Sequence, residues 1–321
     1  MEMRLFIRNV VIFIGNIFLS ICVIIVLDYL FVGNQFEQGY QASLIDKVSR
    51  LESINEPKII LVGNSNVAFG IRSEIIEREL NMPAVNLGLH AGLGNRFHEN
   101  IAKLNINEGD IVVLCHTYYG DYNKIGDAEL AITALEWNKE LWKILEPADY
   151  IEVIRVLPNY ILNAFVRKVT KKGNIPGRDC YSRNAFNEYG DNVFADSNDL
   201  SKRYIFKPGE LDGYVPSVGE SCVERINEFD EYIKSRGATL VIGGFPIADG
   251  EYTPNHCKYD DFEKKLRENV SCPVIFTCDN YYFDYDYFYD TVYHLTKEGA
   301  ELRTYRLIED LKCYFSGNDF K

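Results

Sequence analysis

Residues 58–66 read KIILVGNSN, an apolar run closed by a glycine and followed by a serine between two asparagines. A short, continuous Ile/Leu/Val run bounded by polar residues is the pattern of a strand buried on both faces. The pattern recurs in AVNLG (84–88), GDIVVLCH (109–116), GATLVIGGFP (237–246) and CPVIFT (272–277). Between these runs, IRSEIIEREL (71–80), RFHENIAKLNI (96–106) and TKEGAELRTYRLIEDL (296–311) carry the spacing of helices. Buried strands alternating with helices predict an α/β fold: a parallel sheet between two helical layers, a three-layer α/β/α sandwich.

The 321 residues suffice for one large or two modest domains with a real core. A net charge of −13, with no basic block to offset it, argues against a nucleic-acid partner. The 22 Tyr and 19 Phe suit either an aromatic groove for carbohydrate or plain packing.

Residues 9–27, NVVIFIGNIFLSICVIIVL, carry no charge and match the roughly 20 residues that cross a bilayer. Arg4 and Arg8 precede the run, and Asp28 and Glu37 are the first charges after it. The excess of positive charge on the near side predicts a cytoplasmic N-terminus and an extracytoplasmic remainder. The run is long for a signal peptide and no A-x-A site follows, so an uncleaved single-pass anchor over 1–32 is expected. Residues 33–56 then read as a membrane-proximal helix or linker, and 57–321 as the α/β domain. Cys22 falls in the span and the seven other cysteines beyond it, with no C-x-x-C pair; the spacing fits neither a zinc ribbon nor a redox motif.

The middle, at about 120–216, breaks the alternation. Two helical stretches near 126–145 and 148–169 lead into a Gly-, Asn-, Asp- and Tyr-rich segment, which reads as an insertion or lid on the core.

In open α/β sheets ligands bind beyond the C-terminal strand ends. Those ends carry Asn64, Ser65 and Asn66; then NLGLHAGLGN (86–95); then His116, Thr117 and Tyr118. Downstream, YDTVYHLTKEGAELRT (289–304) sets His294 just ahead of the closing helix, with Asp290 nearby. An early serine and a late histidine beside an acid are what acyl transfer needs: a nucleophile, a base for its proton and a carboxylate to orient the base. His90, His98 and His116 have no carboxylate at ligand spacing, so neither a metal nor a cofactor is expected. His256, beside Cys257, reads as part of a polar surface loop.

This layout resembles the SGNH (GDSL-like) hydrolase superfamily. VGNSN is similar to its first block at Ser65, NLGLHAGLG to its second, and DTVYHLTKEGAELRT to its last. The resemblance spans 57–312 apart from the insertion, and implies a flavodoxin-like sandwich. It assigns Ser65, His294 and Asp290 to catalysis, and Gly92, Gly88 or Asn64 to the oxyanion hole. The anchor and the Y-H-L-x-x-x-G ending look most like surface-polysaccharide and teichoic-acid acylation proteins. That type implies an acylated surface glycan or acyl donor as substrate, by hydrolysis or by transfer, and allows a membrane-bound acyltransferase as partner. A non-catalytic module of the same fold, binding glycan or assisting polysaccharide assembly, is the alternative.

Two departures from the family pattern stand out. The third-block Asn is absent, since that strand end reads CHTYYGDYN; His116, Asn64, Asn66 or backbone N–H groups are its possible replacements. The family spacing D-x-x-H is also missing, because Thr291 lies three before His294 and Asp290 four. Asp286 and Asp284 are spare acids, and a Ser–His dyad is conceivable.

Overall fold

The structure, a computed structural model, describes residues 2–121, 125–173, 175–194 and 216–317. Residues 195–215 of the expected insertion lie outside the described residues.

Helix α1 (Glu2–Leu27) passes into a wider helical turn over Asp28–Val32 and ends at Gly33, whose φ of +66° is a conformation that favours glycine. Met3–Val32 is long and apolar enough to cross a bilayer, and none of its most apolar window is buried against the rest of the chain. Helix α2 (Leu44–Ser53) follows, with Leu44, Val48 and Leu51 buried in the main core. The 33–56 segment is therefore packed onto the domain. Its buried Lys47 ammonium donates to the carbonyls of Asn86 (2.9 Å) and Gly190.

From here strands and helices alternate as the opening run predicts. Strand β1 (Ile59–Val62) leads to α3 (Ser65–Gly70) and α4 (Ser73–Leu80), then to β2 (Ala84–Asn86), α5 (Asn95–Ala102) and β3 (Ile111–Leu114). Helices α6 (Ala128–Leu135) and α7 (Asp149–Val169) form the middle of the chain, and α8 (Glu220–Ser235) returns it to β4 (Thr239–Ile242). The short β5 (Ile247–Ala248), α9 (Asp249–Asn269), β6 (Tyr282–Phe283) and α10 (Lys297–Phe315) complete it.

The main sheet is parallel in the order β2-β1-β3-β4, with Ile59 level with both Ala84 and Ile111. Alternate residues face opposite helical layers. Ile60, Val62, Val112 and Leu114 join a core with α2, α5 and α8, whereas Ile59, Leu61, Ile111 and Val113 pack with Val67, Ile76, Leu307 and Leu311 of α3, α4 and α10. Just before the strands, Lys58 Nζ and Asp110 Oδ2 form a fully buried ion pair at 2.8 Å. Because β1 connects to β2 on one side and, later, β3 pairs on its other side, the C-terminal ends of β1 and β3 flank the switch point where such sheets open a crevice.

Two expectations change. CPVIFT does not extend into a strand: only Val274 bridges Ile242, in parallel. Pro273 has no N–H to continue a ladder. His256 lies on α9, not in a loop, and pairs with Asp260 at 3.0 Å.

Candidate active site

Ser65 is the first residue of α3, and Asn64 caps that helix. Asn64 Oδ1 accepts from the Asn66 amide (3.0 Å), satisfying one of the donors a helix start leaves open. Asn64 Nδ2 donates to Thr117 Oγ1 (2.7 Å), tying the end of β1 to the end of β3 across the switch point. Gly63 makes the close approach possible, since a Cβ there would lie 2.7 Å from the Cys115 carbonyl oxygen.

Asn66 points inward. Its side chain donates to the Cys115 carbonyl (2.9 Å), and its two oxygens accept from Arg303, which also reaches the Gly244 carbonyl (2.9 Å). Arg303 is fully buried in α10 and braces the serine turn against the helix that follows His294.

Ser65 is half-buried and opens onto a cavity of about 860 Å³, whose wall includes Asn64, Gly92, Asn95, Thr117 and Tyr293. Among the described residues, neither the Ser65 hydroxyl nor its backbone N–H has a hydrogen-bond partner, and Ser65 and His294 are not bonded to each other.

Asp290 and His294 do meet. His294 Nδ1 lies 2.7 Å from Asp290 Oδ1, although four residues separate them rather than three. The loop between them closes to allow it. Tyr289 N–H donates to the His294 carbonyl (2.8 Å), Phe288 bridges Leu295, and Thr291 Oγ1 accepts from the Tyr293 and His294 amides (both 3.2 Å). No other carboxylate bonds His294 among the described residues, so the spare acids at 284 and 286 are not needed.

With the carboxylate on Nδ1, the imidazole carries its proton there and leaves Nε2 as a free acceptor. The ring stacks on Phe69, centroids 4.0 Å apart and planes 6° from parallel. Phe69 lies one helical turn from Ser65 on α3, so the histidine and the serine address the same side of that helix.

Asp290 has a second partner. Tyr181, from the insertion, donates its hydroxyl to Asp290 Oδ2 at 2.5 Å. Burial by itself would push the Asp290 carboxyl up; the hydrogen bond and charge of His294, with the Tyr181 hydroxyl, outweigh it and hold the group below its usual range. Burial and the adjacent Asp290 push the Tyr181 phenol up, so it remains a donor. Tyr181 also packs with Tyr40, Phe69 and the His294 ring. Tyr40 comes from the 33–56 segment and Tyr181 from the middle of the chain, so both contribute to the wall beside the histidine.

The nominated oxyanion donors are mostly occupied. Gly88 N–H donates to Asn86 Oδ1 (2.9 Å), and the residue packs so closely on α3 that a Cβ would lie 2.4 Å from the Ala68 nitrogen. Its role is to let that loop approach α3. Gly92 lies on the cavity, but its N–H donates to His90 Nδ1 (2.9 Å). Asn64 uses one of its two amide hydrogens on Thr117, and the Ser65 N–H is open. Of the residues weighed to replace the missing asparagine, His116 is sealed in the core against Glu99 and Asn66 is bound to Arg303.

Sequence reasoning did not single out Tyr181, Arg303 or His90 for these places. One of the three left a trace. Arg303 lies four residues from both Gly299 and Leu307 on the buried face of α10, and an arginine on an apolar face is a sign of a buried network. Tyr181 is one tyrosine among many, and nothing local distinguishes it. His90 sits close enough to His294 to feel its charge; partial burial, then His294, lowers its pKa.

No protein-family model matches the chain, and no curated protein sequence does.

Proposed function

We propose that the chain is an SGNH-type serine acyl-ester enzyme, anchored in a membrane by α1 with its α/β domain on the extracytoplasmic side. Its substrate is an O-acylated surface glycan or the acyl donor for one. The observation that carries this reading is the Asp290–His294 contact with Nε2 left open, on the same side of α3 as a cavity-lining Ser65. The strand order supports it as well: with Val274 in a fifth position beside β4, the sheet follows the flavodoxin-like order.

In the reaction Ser65 Oγ attacks the ester carbonyl carbon while its proton passes to His294 Nε2. Asp290 stabilises the resulting imidazolium. The Ser65 N–H and the second hydrogen of Asn64 Nδ2 are the open donors for the oxyanion. Collapse breaks the bond to the leaving alkoxide, which takes the proton from Nε2, and leaves an acyl group on Ser65. A water or a glycan hydroxyl then repeats the sequence in reverse and frees the serine.

A second reading, a non-catalytic module that binds glycan or assists polysaccharide assembly, has its own observation: the amides of Gly88 and Gly92 are both engaged within the chain. One experiment separates the two. A fluorophosphonate probe should label the intact protein at Ser65, and Ser65→Ala should lose both labelling and turnover of an aryl acetate. A wild-type protein that neither labels nor turns over any short acyl ester leaves the non-catalytic reading standing.

A further inference from the structure

Helix α7 is apolar on two opposite sides. On one side Val153, Tyr160 and Ala164 are buried, and the helix packs along α6. On the other, Ile151, Ile154, Leu162, Phe165, Val166 and Val169 are each between 50% and 65% exposed. At about 100° per residue these six fall within a wedge of roughly 120°, in two groups separated by Arg155 and Pro158 on the same side, so they form one stripe along the helix. Solvated helices show polar residues there, and a continuous exposed stripe of large aliphatic and aromatic side chains marks a contact surface.

Beyond Glu152, which pairs with Arg155 at 2.6 Å at the start of the stripe, the charge along it has one sign. Between residues 153 and 178 the chain has Arg155, Arg167, Lys168, Lys171, Lys172 and Arg178 and no acidic residue, within a protein of net charge −13. The C-terminal end of α7 also meets the place where α1 ends. Arg167 Nε donates to the Gln35 carbonyl (3.0 Å) and Lys168 Nζ to the Phe31 carbonyl. The stripe therefore adjoins the end of the apolar span.

We infer that α7 is a second membrane contact: it lies in the headgroup region of the bilayer that α1 enters, with the six apolar side chains inserted and the flanking basic residues on anionic phospholipid. An apolar face flanked by Lys and Arg is the pattern of a helix lying in the interface plane. Such docking holds the domain against the surface in a fixed orientation instead of letting it swing from α1. The inference rests on α1 being a membrane span, and it is independent of the chemistry at Ser65.

The test uses the full chain carrying Phe165→Trp, reconstituted in vesicles of phosphatidylcholine and phosphatidylglycerol with bromine on the acyl chains. Emission is compared with that of the parent, which has two native tryptophans. Flotation with the vesicles reports α1, and quenching of the added indole reports α7, so failure of one is distinguishable from failure of the other. We expect brominated lipid to remove about half or more of the added emission. An indole placed by Lys264→Trp on the exposed side of α9 should be quenched by aqueous iodide instead. If Phe165→Trp lowers helicity, Leu162→Trp replaces it. Iodide quenching without bromolipid quenching at both positions overturns the inference. So does shielding from both quenchers in a dimer that persists on dilution in detergent, because the stripe is then covered by a second copy. Equal quenching in vesicles without phosphatidylglycerol overturns the anionic part.

Discussion

Two largely buried histidine–carboxylate pairs among the described residues differ in which nitrogen is engaged, while a third, His256–Asp260, lies exposed on α9. In the core, His116 gives Nε2 to Glu99 (3.0 Å), Arg225 closes the other side of that carboxylate, and the histidine itself is fully buried. Burial lowers the His116 pKa and Glu99 only partly opposes it, so the imidazole is neutral. Next to the cavity-lining Tyr293, His294 uses Nδ1 for Asp290 and leaves Nε2 open. Both pairs have sound geometry, but of the two only His294 has an unpartnered ring nitrogen that is not sealed in the core. A pair of the first kind stabilises a core. A pair of the second kind can move a proton.

The comparison predicts opposite consequences for equivalent substitutions. His294→Ala, like Ser65→Ala, should reduce ester turnover by about 10⁴- to 10⁶-fold with little change in melting temperature, the range for removing a member of such a triad. Asp290→Asn should reduce kcat by about 10³- to 10⁴-fold, because the amide no longer fixes the tautomer that exposes Nε2. His116→Ala should do the reverse: fluorophosphonate labelling of the folded protein persists, while stability in denaturant titrations falls by about 3 kcal/mol as a buried ring is replaced by a cavity. A His116 variant that folds normally and has lost labelling would erase the distinction drawn between the two pairs.

What could be read from the sequence follows the same divide between local and distant causes. KIILVG, AVNLG and GDIVVLCH declare burial by their own composition and were legible to within one or two residues, whereas GATLVIGGFP ran four residues past the end of β4 at Ile242. CPVIFT did not behave as read, since its proline cuts the ladder to a single bridge. Helix α9 was hidden by the Gly, Pro and Asn of its first turns; its later residues Tyr259, Phe262 and Leu266 supply the buried face. Six-residue α3 is too short to show a period, and depends on the Asn64 cap and on contacts from β3 and α10. At the site, Ser65, His294 and Asp290 were legible as residue types in a workable order. The contact between the last two required a closed loop that spacing alone did not show. The engagement of the Gly88 and Gly92 amides depends on where the Asn86 and His90 side chains turn, which glycine spacing does not specify.

The smallest predicted effect sharpens the comparison most. Two aspartates among the described residues accept from a tyrosine in nearly the same way: Asp290 from Tyr181 (2.5 Å) and Asp310 from Tyr281 (2.6 Å). Their pKa values move apart. Burial pushes Asp310 up to about 7 despite its tyrosine, whereas Asp290, which also has His294, is held below the usual range. The histidine thus supplies most of the depression, and the tyrosine fixes the carboxylate while adding a smaller share. Tyr181→Phe should therefore cost about 1 kcal/mol of transition-state stabilisation, about fivefold in kcat, the value of a hydrogen bond to a charged group discounted for partial exposure. Losing that bond lets the Asp290 pKa rise, so the Asp290 carboxyl should protonate at a higher pH when its titration is followed by carboxyl carbon-13 NMR or infrared absorption. Stability should shift with the same sign. A depressed carboxyl contributes stability above its unfolded pKa of about 3.9 and loses it as pH falls through the folded value. In Tyr181→Phe that loss should be smaller and should be complete at a higher pH when melting is followed from about pH 5 to about pH 2. A fivefold loss in rate with an unmoved Asp290 titration would mean that Tyr181 acts only as part of the aromatic wall with Tyr40 and Phe69, and that His294 alone sets the charge on Asp290.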